Sequence, residues 1–347
     1  MLERPAQKVC MGLHTPIETH RTPPPFGVEI LDLRHFTSQH LRPLLENETR
    51  LWAQLMSWDY RSSAEMILRY VDSKILPGYA AVENGHIGGY AFFVYEGSKG
   101  VIGDLYADDS IRLPLESEAA GETVESRLAT HVIATLQRSP GVQRIEAQLL
   151  PHESGALAGP FLEEGFQQYP RLFMVLPFHP GMAEAHLAEY PDIDFRRWLE
   201  HDFQPVSSVI TNCYRGHIDS EINDQYRSLN GSLRFLNNIV RFPGCGVFDA
   251  HSSFVAVHRP TRSIVGLLLC SRVREDVGHV TQVCVVPELR GRMIGETLIG
   301  LCTQELRSRR FSALSLTVTE ANHKAVDLYR RLGFTTRRRF DAFVWES

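Results

Sequence analysis

Much of what marks the common nucleotide, metal and membrane sites is missing from this 347-residue chain. There is no GxxxxGK(S/T) and no GxGxxG, which excludes a P-loop and a Rossmann fingerprint. The six cysteines (Cys10, Cys213, Cys245, Cys270, Cys284, Cys302) form no CxxC pair. Several sit in apolar strand or helix patterns, which suits reduced thiols in a cytoplasmic protein better than zinc or disulfides, so no metal is expected. No apolar run approaches the ~18–20 residues of a membrane helix, so no membrane partner is expected. Residues 1–26 are Pro-rich and polar, without a basic stretch followed by an apolar one. They read as a flexible arm and not as a secretory signal. Lysine is almost absent from the second half: of 21 cations from Phe195 onward, all but Lys324 are arginine, against 15 acids. The remainder carries 15 cations against 26 acids. A basic half suits an anionic ligand. Nucleic acid is not expected, because Arg337-Arg338-Arg339 is a short run without interleaved stacking aromatics.

What is present reads as α/β, in two halves. A strand over 28–33, helices over 38–55 and 62–74, and three antiparallel strands within 78–108 open the first. Asn84-Gly85 marks a tight hairpin, because both central residues of that turn need positive φ. A helix over 123–137, a strand over 143–150, a short helix over 156–164 and a strand over 171–178 follow. Residues 179–194 read as a linker. The second half repeats the order, with helices within 205–214 and 222–240, a hairpin over 254–273 and a strand over 279–286. Then come a helix from about Met293, a strand over 314–318, a helix over 322–332 and a closing strand. "GPFLEEGF" (159–166) and "DLYRRLGF" (327–334) align, which places Gly165-Phe166 on Gly333-Phe334, 168 residues on. With the repeated order of elements, this reads as an internal duplication.

The chemistry concentrates at "VVPELRGRMIGETLIG" (285–300). A strand that stops at Pro287 frees its last backbone groups. The turn then delivers a helix N-terminus, whose unpaired N–H groups and dipole favour a phosphate. Arg290 and Arg292 add cationic donors, and Gly291 and Gly295 let backbone approach a ligand closely. An ordinary β-α connection would look similar. "TEANHKAVDLYRRLGF" (319–334) follows. Together, Val-x-Val-x-Pro-x-x-Arg-Gly-x-x-Ile-Gly and Asn-x-x-Ala-x-x-Leu-Tyr-x-x-x-Gly-Phe resemble motifs A and B of the GNAT acetyltransferase superfamily. The resemblance is close over 279–334 and extends in order of elements over 195–347. The first half resembles only the fold, so the whole resembles a tandem GNAT protein. Each domain would then be a mixed, mainly antiparallel sheet flanked by helices, over 27–178 and 195–347.

The resemblance implies roles for particular residues. Val283, Cys284 and Val285 match the strand whose backbone pairs with pantetheine. Arg290, Gly291, Arg292, Met293, Ile294 and Gly295 match the pyrophosphate turn. Asn322 matches a contact to the cofactor arm, although it is equally placed to cap its helix. Tyr329 matches the acid that protonates the departing thiolate, although it could be a core aromatic. Met293 stands where the superfamily usually has glycine; its N–H still donates provided φ is negative. Thr317 stands where a basic Glu is common. Glu275, Asp276 and His279 become the candidate bases, His279 having the most suitable ordinary pKa. The first half has no Arg-Gly turn, a Glu-rich segment at 110–122, Phe161 in place of Tyr329 and Ser154 in place of Asn322. It reads as a degenerate copy that shapes the interface or the acceptor site. The expected function is N-acetyl transfer from acetyl-CoA to a small-molecule or peptide amine by direct attack, in a monomer or homodimer. A CoA-binding module without turnover and an acyltransferase for longer chains are the alternatives.

Overall fold

The computed structural model describes residues 27–119, 121–182, 188–241 and 246–347. The expected arm, Cys10, Cys245 and part of the expected linker lie outside the described residues. The first half runs β1 (Glu29–Asp32), α1 (Ser38–Met56), α2 (Arg61–Asp72), β2 (Gly78–Glu83), β3 (His86–Glu96), β4 (Lys99–Ala107), α3 (Leu115–Ala119), α4 (Val124–Arg138), β5 (Arg144–Gln148), α5 (Ala158–Glu163) and β6 (Gln167–Pro177). The second runs β7 (Ile193–Arg197), α6 (Phe203–Cys213), α7 (Ile218–Ile222), α8 (Leu229–Arg241), β8 (Val247–Phe248), β9 (Phe254–His258), β10 (Ile264–Arg274), β11 (Val277–Val285), α9 (Ile294–Ser308), β12 (Ala313–Thr319), α10 (His323–Arg331) and β13 (Thr335–Glu346).

Local chemistry sets several of these boundaries. Asn84 and Gly85 both take positive φ, 51° and 80°, and turn β2 into β3. Asn223 ends α7 and caps a following 3-10 turn, so the continuous helix expected from Ile222 breaks there and resumes at Leu229. An Asn side chain that bonds its own backbone competes with the helix. Strands β7 and β8 were not expected: each is short and carries little alternation.

All the strands form one sheet, in the order β1-β2-β3-β4-β5-β13-β6-β12-β11-β10-β9-β7, with β8 beside β10. The mixed, mostly antiparallel sheet flanked by helices agrees with the sequence reading. The order contains an exchange. β6, the last strand of the first half, pairs with β12 of the second. β13, the last of the second, pairs with β5 of the first. Side chains follow the strands. Phe343 of β13 lies in the core under α4, while Leu172, Met174 and Leu176 of β6 lie in the core under α9. An ion pair reinforces the seam: buried Lys99 Nζ, held by Glu146 of the same half at 3.0 Å, reaches Asp224 of the second half at 2.6 Å.

The duplication is visible in hydrogen bonds. Phe166 N donates to Phe161 O and Phe334 N to Tyr329 O, each at 3.0 Å, beside glycines with φ of 81° and 91°. Glycine at C′ takes this left-handed conformation without a Cβ penalty.

Candidate active site

The site begins with a parting of two strands. β11 and β12 pair in parallel only from Val277 to Val280 with Ala313 to Leu316. Beyond that they diverge. A bulge at Thr281, where β11 slips register against Leu269 and Cys270 of β10, bends the strand at that point. The far edge of Gln282–Val285 thus enters no ladder with β12. A cavity of about 870 Å³ opens there. It is lined by Val283, Cys284, Val285, Arg290, Gly291, Met293, Ile294, Gly295, Asn322 and Tyr329, as well as by His279. The chain brings these residues together from β11, the following turn, α9 and α10.

The turn is built to leave donors open. Gly291 takes φ of 80°. A Cβ at Gly295 would touch only Val285, at 3.8 Å, so that face of the helix start is clear. No side chain caps α9. Met293 takes φ of 59°, which corrects the expected negative value. It holds the left-handed conformation that a glycine would hold at this place, at the steric cost a Cβ brings. Arg290 donates to Val285 O at 3.1 Å and Cys213 O at 2.7 Å, tying the turn to the end of α6. Arg292 is a correction: it does not line the cavity, because Asp192 binds its guanidinium at 2.8 and 3.0 Å.

Asn322 caps α10, its side-chain oxygen accepting from Ala325 N at 3.4 Å, and its amide nitrogen lies 3.4 Å from His217 Nε2. It therefore caps and lines the cavity at once. Tyr329 is 7 % exposed and packs on Phe334. Burial, and secondarily the charge of Asp219, push its phenol well above the ordinary tyrosine range.

The candidate bases change. Glu275 and Asp276 lie at the β10–β11 turn, outside the cavity lining, and Arg274 binds Asp276 at 2.6 Å. His279 is buried, edge-on to Trp58 and stacked with Phe173, and its Nδ1 lies 2.9 Å from Ser315 Oγ. Burial, with a smaller contribution from the Arg171 charge, drives its pKa down to about 3. The ordinary pKa that recommended His279 as the base is therefore not kept in the fold, which corrects the expectation for His279. The sequence reading missed Asp219 and His217. Both line the cavity, Asp219 N donates to His217 Nδ1 at 3.2 Å, and Thr319 Oγ1 donates to Asp219. Asp219 and Glu296 are the carboxylates among the described residues lining the cavity. The only signal in the sequence was an unassigned "GHIDSE" (216–221) between two expected helices.

Residues 220–334 match the Acetyltransferase (GNAT) family, and the chain carries a domain of that family. The chain is 35 % identical over 109 residues to the mycothiol acetyltransferase of Thermobifida fusca, which is 29 % of this chain and 31 % of that protein. The match thus spans less than a third of that relative. Two solved structures share the fold across most of the chain. A GCN5-related N-acetyltransferase from Sphaerobacter thermophilus has a TM-score of 0.59 at 16 % identity, covering 85 % of this chain and 91 % of that one. A tandem GNAT protein from the clavulanic acid biosynthesis pathway has a TM-score of 0.55 at 15 % identity, covering 92 % and 98 %. The first half is therefore GNAT-like in structure although the family match falls in the second. Among the described residues no helix is long and apolar enough to cross a membrane.

Proposed function

We propose that the chain transfers an acetyl group from acetyl-CoA to an amine, with residues 195–347 as the catalytic half and 27–178 as a degenerate half. One observation carries the reading: the free edge of β11, the uncapped start of α9 and Tyr329 all open into one cavity. Pantetheine pairs with the free edge at Val283–Val285, and one strand N–H polarises the thioester carbonyl. The pyrophosphate meets the N–H groups of 291–295 and the helix dipole.

The amine nitrogen attacks the carbonyl carbon, and the carbon–sulfur bond breaks. Asp219 holds the ammonium and relays to solvent the two protons the nitrogen loses, one before it attacks and one as the carbon–sulfur bond breaks. Tyr329 gives its proton to the thiolate and regains one from solvent. These two steps help each other. Asp219 charge is one reason the Tyr329 phenol is a weak acid. Once Asp219 is protonated, that opposition is gone and the phenol becomes a better donor. His217 positions Asp219 through the backbone.

The test is thiol release from acetyl-CoA with a panel of amines, beside calorimetric binding of acetyl-CoA. Amine-dependent release supports the reading. Tight binding with no release under any amine would make the chain a CoA-binding module. Faster release from longer acyl-CoA thioesters would move the donor assignment.

A further inference from the structure

The cavity wall contains two donors that the protein does not use. Arg171 Nε and Gln282 Nε2 are both buried and have no hydrogen-bond partner among the described residues. Both residues line the cavity. An orphaned buried donor costs free energy of its own, so a pair of them at one cavity points to an oxygen-bearing ligand.

The two lie on the same side of the sheet. Leu314, Leu316 and Val318 of β12 turn into the core under α9. By strand alternation Ser315, Thr317 and Thr319 turn the other way. Arg171 stands opposite Thr319 across the β6–β12 ladder and shares its face. Gln282 accepts from Tyr214, which follows α6, at 2.7 Å, which puts it on that face too. Asp219 is held there by Thr319. Gln148 of β5 accepts from Arg171 Nη1 and leaves the Nε edge unused. Arg171 and Gln148 belong to the first half; the strand exchange delivers Arg171 into the site of the second. One side of the cavity thus offers a carboxylate and, near it, an arginine edge and an amide donor.

We infer that this wall is a two-point acceptor site for a small molecule bearing both an ammonium and a carboxylate, with Asp219 taking the ammonium and Arg171 with Gln282 taking the carboxylate. An arginine edge presents parallel N–H groups that match a carboxylate in geometry as well as charge. The first half then supplies part of the acceptor pocket. The inference rests on the acetyl-transfer reading for which group reacts, but not for what binds.

The experiment compares three probe sets: free α-amino acids, their amides, and the corresponding decarboxylated amines. Binding to the CoA-loaded protein is read by calorimetry, and turnover by thiol release. The free acids should bind and react best. Arg171→Met should raise their Kd and KM about tenfold to a hundredfold, the range of a charge-assisted hydrogen bond, and leave the decarboxylated amines unchanged. Arg171→Lys, which keeps the charge and the fold but loses the edge, should fall between. Binding that depends on Arg171 without thiol release would sink the transfer reading and keep this one. Equal behaviour of the three sets, equal loss for all of them in Arg171→Met, or no binding by any would overturn the two-point site.

Discussion

The two halves share a parting of strands and treat it in opposite ways. In the first half β4 and β5 pair in parallel only from Lys99 to Ile102 with Arg144 to Ala147, and β4 carries a bulge at Gly103. The geometry matches β11 and β12. There, however, His152 Nε2 lies 2.7 Å from Leu105 O and occupies the backbone edge that stays open in the second half. The helix start is also closed. Thr123 Oγ1 accepts from Ser126 N at 3.0 Å while Ser126 Oγ accepts from Thr123 N at 2.9 Å, a reciprocal cap that α9 lacks. The residue after each bulge differs as well. Asp104 is enclosed by Tyr60, Tyr90 and Glu48, whereas Gln282 keeps a donor unused. The same backbone becomes a packed core when its polar groups find partners within the chain, and a site when they do not.

Tyr329→Phe is the largest expected effect and tests the comparison most directly. Phe161 already occupies the matching place, fully buried and stacked on Phe343 at 4.1 Å. The ring is therefore compatible with this backbone without its hydroxyl. General acid catalysis contributes ~10²–10⁴-fold, so kcat should fall by that order while acetyl-CoA affinity stays within a few-fold. An unchanged kcat would show that the thiolate leaves without this donor and would erase the functional difference between Tyr329 and Phe161.

Arg290→Glu should follow. The variant places a carboxylate beside the helix start and releases the carbonyls of Val285 and Cys213. Acetyl-CoA affinity should drop at least about tenfold, the loss of a charge-assisted bond plus repulsion. The same titration of the wild type should give one site per chain, since the first half has a closed helix start. A stoichiometry near two would contradict the reading of the first half as degenerate.

Glu48→Gln probes the closed side. Burial first, then the neighbouring Asp104, push the Glu48 carboxyl well above the ordinary carboxylate range. A raised acid holds its proton in the folded state while the unfolded chain releases it. Its contribution to stability is complete below the unfolded pKa, ~4.3, and is lost as pH rises through the folded value. Glutamine stays neutral throughout. The Tm of the variant should therefore gain on that of the wild type between pH 5 and pH 8. A difference that stays flat across that window would mean that Glu48 is ionised in the fold.

Much of this architecture was legible because it is local. Hairpin glycines, a capping Asn and the Gly-Phe repeat each write their geometry into a few adjacent residues. The strand exchange was not legible. β6 and β13 are similar apolar strands after similar helices, and nothing in either sequence says which half it joins. Arg171 was invisible as a site residue for that reason: its role depends on a partner strand some 150 residues away, Thr319 at its closest. Asp219 lay between two expected helices, in a segment without periodicity. His279 shows the converse: an ordinary pKa was legible, and the Trp58 and Phe173 rings that abolish it were not.

Met293→Gly is the smallest effect and sharpens the contrast between the two helix starts. The expectation of negative φ at this residue treated the turn as one that any side chain would adopt. With φ at 59°, the backbone instead keeps a conformation that costs a residue with a Cβ about 1–2 kcal/mol. The Met293 side chain is exposed, so it offsets little of this by packing. Glycine removes the strain but gains freedom in the unfolded chain, worth ~0.4–1 kcal/mol in the other direction. The net change in stability should be a gain of about 1 kcal/mol or less, read as a small rise in Tm. Acetyl-CoA affinity should hold within a few-fold, because the backbone donors keep their directions. A fall in Tm, or a large loss of affinity, would show that the methionine side chain itself holds the turn.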